Sequence, residues 1–196
     1  MKKIIILLTG IVLTMTSCSS SKCLETLAFV PDDEKVLDEY NQLSYSTIVD
    51  CEGLTRNEIY TRANSYFIYN YNSGKAVIQQ QDKEEGILIG KGLSKEMQGT
   101  SFYNLYHILR VDIKDNKARI SITVNTIEYH YMFNGVWMIR DVELNNMYPF
   151  VPKKMKIVRN SEACLFLVIK SSFEERIDRV SKALLEGNTK ADTEKW

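Results

Sequence analysis

The 196-residue chain balances 25 basic against 25 acidic residues. It therefore lacks the basic excess with which nucleic-acid-binding proteins contact phosphates, and we expect no nucleic-acid partner. Eleven tyrosines and only three prolines are typical of a globular protein that is rich in β-sheet.

The first 18 residues have the pattern of an export signal. Lys2 and Lys3 precede an almost wholly apolar run at residues 4–13, which is too short to span a bilayer as a helix. Residues 15–18 resemble the lipobox of bacterial lipoproteins, with small side chains just before Cys18. This resemblance implies that residues 1–17 are a signal peptide and that Cys18 becomes the acylated N-terminus. The protein would then be exported and anchored by lipid to the bacterial envelope, facing the periplasm.

Residues 18–40 are predicted to form a tether and a partly ordered lead-in. Cleavage before Cys18 leaves 179 residues with 23 basic and 25 acidic side chains, enough for one domain with a core. Three further cysteines, Cys23, Cys51 and Cys164, remain in a compartment that permits disulfides. They could form one disulfide and one free thiol or remain three buried thiols. We favour the three buried thiols and leave the pairing open.

The first predicted elements are a strand at residues 43–51 and a helix that starts at Thr55. Glu58 follows Thr55 at the spacing of a capping box, in which each residue bonds the backbone of the other. Apolar residues then recur at helical spacing on one face of this helix. Residues 76–82 and 86–92 are the next two strand candidates.

Two hairpins and a final helix follow. Alternating apolar residues predict strands at residues 105–113 and 117–124, joined by an Asp115-Asn116 turn. Asn134 and Gly135 predict a second hairpin that pairs residues 127–133 with residues 136–142. Apolar residues from Phe166 onward recur at helical spacing up to Gly187, although residues 163–169 could instead be a strand and Ser161 could cap the helix. The tail at residues 188–196 is predicted to be disordered.

These elements predict an α+β fold in which helices cover one face of a curved antiparallel sheet. Their order is β-α-β-β-β-β, then a hairpin extension, then a helix, all within a single domain at residues 41–187. The segment from Tyr45 to about His130 resembles a family of uncharacterised domains that exported lipoproteins carry. The residues that carry the resemblance include Gly53-Leu54, Glu58-Ile59-Tyr60, Gly86-Ile87 and Gly90-Lys91-Gly92. It implies a TATA-binding-protein-like (TBP-like) fold and no activity, since the fold name describes shape alone.

No catalytic or cofactor motif stands out. The Gly90-Lys91 pair departs from a phosphate-binding loop in spacing, so we interpret it as a strand whose glycines allow a close crossing. His107 alternates with Leu105 and Leu109, which predicts a buried side chain with a lowered pKa. The paired carboxylates Glu84-Glu85 and Glu174-Glu175 are interpreted as solvated charges. We predict no metal site and no cofactor.

Two surface features remain as candidates for binding. The aromatic residues Tyr129, Tyr131, Phe133 and Trp137, with Met138, gather around the second hairpin. They could form a binding surface, but the favoured reading is a hairpin core on which the final helix docks. Lys153, Lys154, Lys156 and Arg159 form one basic cluster that could approach lipid headgroups, and a solvated connector is the favoured reading.

Two functions follow from these observations. The first is a membrane-anchored, non-catalytic binding or interaction module for an unknown envelope protein or small ligand. The alternative is an envelope hydrolase or other enzyme that uses His107 or His130 with acids brought together by the fold. The absence of a catalytic motif in the sequence favours the binding module.

Overall fold

A computed structural model describes residues 22–71, 77–147 and 160–187. Its helices are α1 (Lys22–Ala28), α2 (Arg56–Tyr71) and α3 (Asn160–Glu186), and short 3-10 helices lie at Asp32–Lys35 and Leu144–Asn146. Its strands are β1 (Ser44–Asp50), β2 (Val77–Asp82), β3 (Ile87–Gln98), β4 (Ser101–Lys114), β5 (Lys117–Phe133) and β6 (Val136–Asp141).

All six strands form one antiparallel sheet, in which five follow the order β1-β5-β4-β3-β2 and the sixth, β6, also pairs with β5. β1 pairs with the first half of β5 and β6 with its second half, so β1 and β6 lie along the same edge of β5. The two predicted hairpin turns are confirmed: Asn116, Asn134 and Gly135 have the positive φ values, 61°, 48° and 79°, that such tight turns require.

The sheet has a covered face and an open face. On β4 the odd-numbered residues from Tyr103 to Ile113 are buried, and α2 and α3 pack on this side, which we call the inner face. The even-numbered residues of β4 from Phe102 to Asp112 are only partly buried and lie on the opposite side, which we call the outer face. This one-sided burial confirms the α+β prediction, because an antiparallel sheet tolerates one face in contact with solvent.

The predicted break between residues 124 and 127 is wrong, since β5 runs unbroken from Lys117 to Phe133. Tyr106 pairs with Thr126 and His107 with Val124, so Asn125 is an extra residue in β5 and forms a β-bulge. The bulge changes which residues of β5 face the core, from even-numbered residues before Asn125 to odd-numbered residues after it. Val124 points inward before it and Ile127 points inward after it, and this change of phase resembles a boundary between two strands in the sequence.

The start of α2 follows the predicted capping box. The Thr55 backbone N–H donates to Glu58 Oε2 over 2.8 Å, and the Glu58 N–H donates to Thr55 Oγ1 over 3.3 Å. The crossing predicted at Gly90 is also confirmed, because a Cβ at Gly90 would lie 2.6 Å from the buried ring of Phe67 on α2. A side chain at position 90 would therefore push α2 away from the sheet.

The final helix is continuous, and the strand alternative for residues 163–169 is wrong. Its predicted apolar face is confirmed, since Phe166, Ile169, Phe173, Ile177, Val180 and Leu184 are all buried. Ser161 lies within the first turn of the described helix and not at its cap. Gly187 ends the helix with a φ of 78° and donates its N–H to Ala183 O, as a left-handed C-terminal residue does.

The interpretation of three buried thiols is wrong. Cys23 of α1 and Cys164 of α3 form a disulfide, and Cys51 is a buried free thiol. α1 packs on α3, which brings the Cα atoms of the two bonded cysteines within 5.1 Å across 141 residues of sequence. The lead-in expected to be partly ordered therefore contains a helix that is covalently joined to the domain.

Several predictions fall outside the described residues. These are the signal peptide and Cys18, the basic cluster from Lys153 to Arg159, and the tail at residues 188–196. Among the helices of the described ranges, none has the length and apolar character needed to cross a bilayer.

Candidate binding surface on the open face of the sheet

His107 lies in the core, as its alternation with leucines predicted. Its side chain is buried, its ring meets that of Phe173 at 5.2 Å, and Nδ1 lies 3.2 Å from Leu105 O. Burial, together with the nearby Arg176 guanidinium, lowers the pKa of His107 to about 4. His107 is therefore neutral near pH 7 and is enclosed between the sheet and α3.

The other chemical candidates lie apart from one another. Glu84 and Glu85 are exposed in the β2–β3 turn, and Glu174 and Glu175 are exposed on α3. Glu174 pairs with Lys170, whose Nζ also lies 2.6 Å from Glu34 Oε2 beside a surface cavity of about 540 Å³. In the described parts of the chain, no cluster of three or more His, Cys, Asp or Glu side chains could hold a metal ion.

The predicted aromatic surface is divided between the two faces of the sheet. Tyr129 and Tyr131 lie on the inner face, where Tyr129 stacks on Tyr103 at 4.7 Å and on Tyr131 at 5.1 Å. The Tyr129 hydroxyl donates to Ser101 Oγ over 3.2 Å. Alternation places Phe133 on the same side, where it remains 61% exposed.

Trp137 lies on the outer face, next to Met132 in the β5–β6 register. Every residue of β6 is exposed, including Trp137 at 51% and Ile139 at 63%. The favoured interpretation of this hairpin as a core is therefore wrong for β6, whereas Tyr129 does pack against the buried core. The alternative that the sequence left open, a surface of exposed aromatic and apolar side chains, describes the hairpin better.

The pairing of the strands brings further residues, most of them apolar, next to Trp137. Met97, Phe102, His130 and Ile139 are paired in succession across β3, β4, β5 and β6, and Met132 and Trp137 form the next pair along β5 and β6. We call these six residues the aromatic row. Phe102 is its centre: its ring stacks on His130 at 4.4 Å and lies 5.6 Å from Trp137, and Lys95 Nζ lies 3.6 Å above it.

A polar row lies beside the aromatic row on the same face. It consists of Lys95, Asn104, Glu128 and Asp141, which are paired in succession across the same four strands. Asn104 Nδ2 and the Tyr106 hydroxyl each donate to Glu128 Oε2 over 3.1 Å. His130 Nε2 lies 3.1 Å from that oxygen and 2.9 Å from Asn104 Nδ2.

This network keeps Glu128 charged. The hydrogen bond from Asn104, followed by those from His130 and Tyr106, lowers the pKa of the Glu128 carboxyl. A carboxylate that accepts several hydrogen bonds is stabilised in its ionised form. The four side chains hold one another in place and leave Glu128 partly open to solvent.

Sequence reasoning found Trp137 but missed Phe102, Asn104 and Glu128. The alternation of β4 already separates Phe102, Asn104 and Tyr106 from the buried residues of that strand. The residues of β5 that pair with them can be identified only when the bulge at Asn125 is known. One extra residue in β5 moves every later side chain of that strand to the opposite face of the sheet.

Comparison with known proteins shows that the central part of the chain is similar to a described domain family. Residues 45–129 match DUF4468, a domain of unknown function with a TBP-like fold. A TBP-like protein from Parabacteroides distasonis is similar in structure, with a TM-score of 0.56 and 16% identity, over 79% of this chain and 100% of that one. A DUF4468 family protein from Bacteroides ovatus has a TM-score of 0.58 and 12% identity, over 76% and 90%. No curated protein matches the chain significantly.

Residues 45–129 are therefore similar to DUF4468 domains, and the TBP-like fold implied by the resemblance is confirmed. Because the two solved structures share only 16% and 12% of their residues with this chain, they establish its fold and nothing about its function. A shared fold carries no activity with it, so function has to be argued from the side chains of the open face.

Proposed function

We propose that this protein is a lipid-anchored envelope protein that acts as a non-catalytic binding module, with the aromatic row as its binding surface. The observation that carries the proposal is the exposure of this row on a face that no helix of the described chain covers. Met97, Met132, Trp137 and Ile139 are between 51% and 63% exposed.

Single apolar residues are common on protein surfaces and need no explanation. A contiguous patch of exposed apolar residues, in contrast, marks an interaction site. Met132 is the direct partner of Trp137, and His130 is the direct partner of Ile139. Phe102 links these pairs through its contacts with His130 and Trp137. The exposed side chains are thus neighbours across three strands, and a partner that covers them would bury apolar surface that is now in water.

The anchor is supported by the N-terminal sequence, where Lys2, Lys3 and an apolar run precede Cys18. We expect Cys18→Ala to abolish labelling of the protein with radioactive palmitate and to leave the precursor uncleaved. Cys51→Ala is the matched control, because it removes another cysteine that is outside the disulfide, and it should leave labelling intact. Palmitate labelling and membrane retention that survive Cys18→Ala would contradict the anchor.

The binding surface can be tested through its own tryptophan. In a Trp196→Phe chain, Trp137 is the sole tryptophan and reports on the aromatic row. Soluble envelope extract would be separated into protein, glycan and lipid fractions, and each would be titrated against this chain. We expect one fraction to shift the Trp137 emission to shorter wavelength, because burial removes water from the indole.

Met132→Lys should abolish this emission shift by placing a charge in the surface. Phe29→Ala is the control, since Phe29 is 87% exposed and lies outside both rows. It should leave the shift unchanged. An emission that no fraction alters, or a shift that Met132→Lys does not affect, would overturn the proposed surface.

A further inference from the structure

The outer face of the hairpin end combines two chemistries in adjacent rows. The aromatic row offers Ile139 and, one residue pair further along β6, the exposed indole of Trp137. The polar row offers hydrogen-bonding groups one pair from Ile139 and two pairs from Trp137 along the same strands. Side chains on one face of a strand recur every second residue, so the polar row lies roughly 7 Å from the His130–Ile139 pair and roughly 14 Å from the Met132–Trp137 pair. A single elongated ligand can therefore contact both the Trp137 indole and the polar row.

The polar row still has bonding capacity for a ligand. All three contacts to the Glu128 carboxylate use Oε2, which leaves Oε1 to accept from a donor. Asn104 uses its Nδ2 in the network, which leaves its carbonyl oxygen as a second acceptor. Lys95 adds a donor at one end of the row. The row spans four strands, roughly 14 Å at the usual strand spacing.

The charges of the polar row restrict the class of ligand. Glu128 and Asp141 are acidic and Lys95 is basic, so the row carries one net negative charge. A phosphate or carboxylate ligand would be repelled by two acids. A wholly apolar partner would cover the Glu128 carboxylate without replacing the water it loses, which is unfavourable. The ligand should be uncharged, with an apolar flat side and several hydroxyl or amide groups at its edge.

We propose that the two rows form a binding site for a neutral oligosaccharide. One pyranose ring of the oligosaccharide packs its apolar face of C–H groups on the Trp137 indole. The hydroxyl groups of a neighbouring ring donate to Glu128 and to the Asn104 carbonyl oxygen. The His130 ring, held between Phe102 and the Glu128 carboxylate, fixes the boundary between the two rows. This inference rests on the proposed binding surface and names the ligand class for it.

The test is titration calorimetry on the acylated full chain in a zwitterionic detergent without a sugar headgroup. The probes are neutral hexasaccharides of glucose, mannose, galactose, xylose and N-acetylglucosamine, with hexagalacturonate as the acidic counterpart. We expect at least one neutral probe to bind and hexagalacturonate to bind more weakly than its neutral galactose counterpart. Trp137→Ala should abolish binding.

Glu128→Gln and Asn104→Ala should each weaken binding by at least about tenfold, since each loses a hydrogen bond to the ligand. Phe29→Ala is the control and should bind as the unaltered chain does. Far-ultraviolet circular dichroism confirms that each variant is folded.

The inference is overturned if no neutral probe binds, or if binding survives Trp137→Ala. Equal or stronger binding of hexagalacturonate would also overturn it, because the charge argument would then be wrong. A Trp137 emission shift with the protein or lipid fraction of the envelope, without saccharide binding, would leave the binding module standing and remove only the ligand class.

Discussion

At the scale of single residues, His107 and His130 show how the same side chain takes different roles on opposite faces of one sheet. His107 is on the inner face against Phe173, where burial keeps it neutral. His130 is on the outer face, stacked on Phe102 and in contact with Glu128. The face on which each residue lies, more than its residue type, decides whether it belongs to the core or to the candidate site.

The lowered pKa of His107 predicts a loss of stability in acid. Its pKa is about 4 in the folded protein and near 6.5 when unfolded, so the unfolded chain binds the proton more readily. Stability is unaffected above pH 6.5 and falls as the pH drops from 6.5 towards 4. The full difference corresponds to about 3 kcal/mol.

Urea unfolding between pH 7 and pH 4 measures this effect. A His107→Gln variant should lose less stability over that range than the unaltered protein, whereas His130→Gln should retain the loss that His107 causes. Identical pH profiles for His107→Gln and the unaltered protein would contradict the buried, neutral histidine.

At the scale of elements, the start of α2 is held by the β4–β5 turn as well as by its own capping box. Asp115 Oδ1 accepts from the Arg56 N–H over 2.8 Å, and Asn116 Oδ1 accepts from the Gly53 N–H over 3.1 Å. The first bond satisfies the N–H of the first residue of the helix, which lacks a partner within the helix itself, and the second holds the turn that precedes it. The turn thereby fixes α2 against the end of the sheet.

Thr55→Ala should destabilise the protein by about 0.5–2 kcal/mol, because it removes the hydroxyl that accepts from the Glu58 N–H. Thr61→Ala is the matched control, since Thr61 is an exposed threonine inside the same helix, and it should change stability little. Chemical denaturation midpoints compare the two. A midpoint for Thr55→Ala equal to that of Thr61→Ala would show that the capping box adds no stability.

At the scale of the whole molecule, the Cys23–Cys164 disulfide joins the first described helix to the last one. It encloses the sheet within a loop of 141 residues and fixes α1 on α3. Cys23 lies only five residues after Cys18, the proposed site of acylation. In an anchored protein, this bond would keep the domain close to the membrane by preventing α1 from unfolding into a longer tether.

Reduction of the disulfide should lower the free energy of unfolding by about 2–5 kcal/mol, because the unfolded chain gains freedom when a long loop opens. A Cys23→Ser, Cys164→Ser double variant should show the lower stability without reductant and no further loss with it. Cys51→Ala should keep the sensitivity to reductant. Unfolding curves of the unaltered protein that coincide with and without reductant would contradict the bond.

The sequence by itself determined the local features of this protein. The hairpin turns at Asn116 and Asn134, the capping box of α2, the apolar face of α3 and the burial of His107 all follow from patterns within a few residues. Each depends on backbone geometry or on the period of a helix or strand, and neighbouring residues are enough to define these. The α+β fold follows from the same local patterns, because their order leaves few ways to cover one face of a sheet.

Only the tertiary structure decided which distant residues meet. The partner of Cys23 depended on how α1 packs on α3, and three cysteines in the sequence allow several pairings. The bulge at Asn125 set the register beyond it, and with it the network of Asn104, Glu128 and His130. The physical reason is the two-residue period of a strand: one unpaired residue exchanges the two faces, and no local pattern shows which residue is left unpaired.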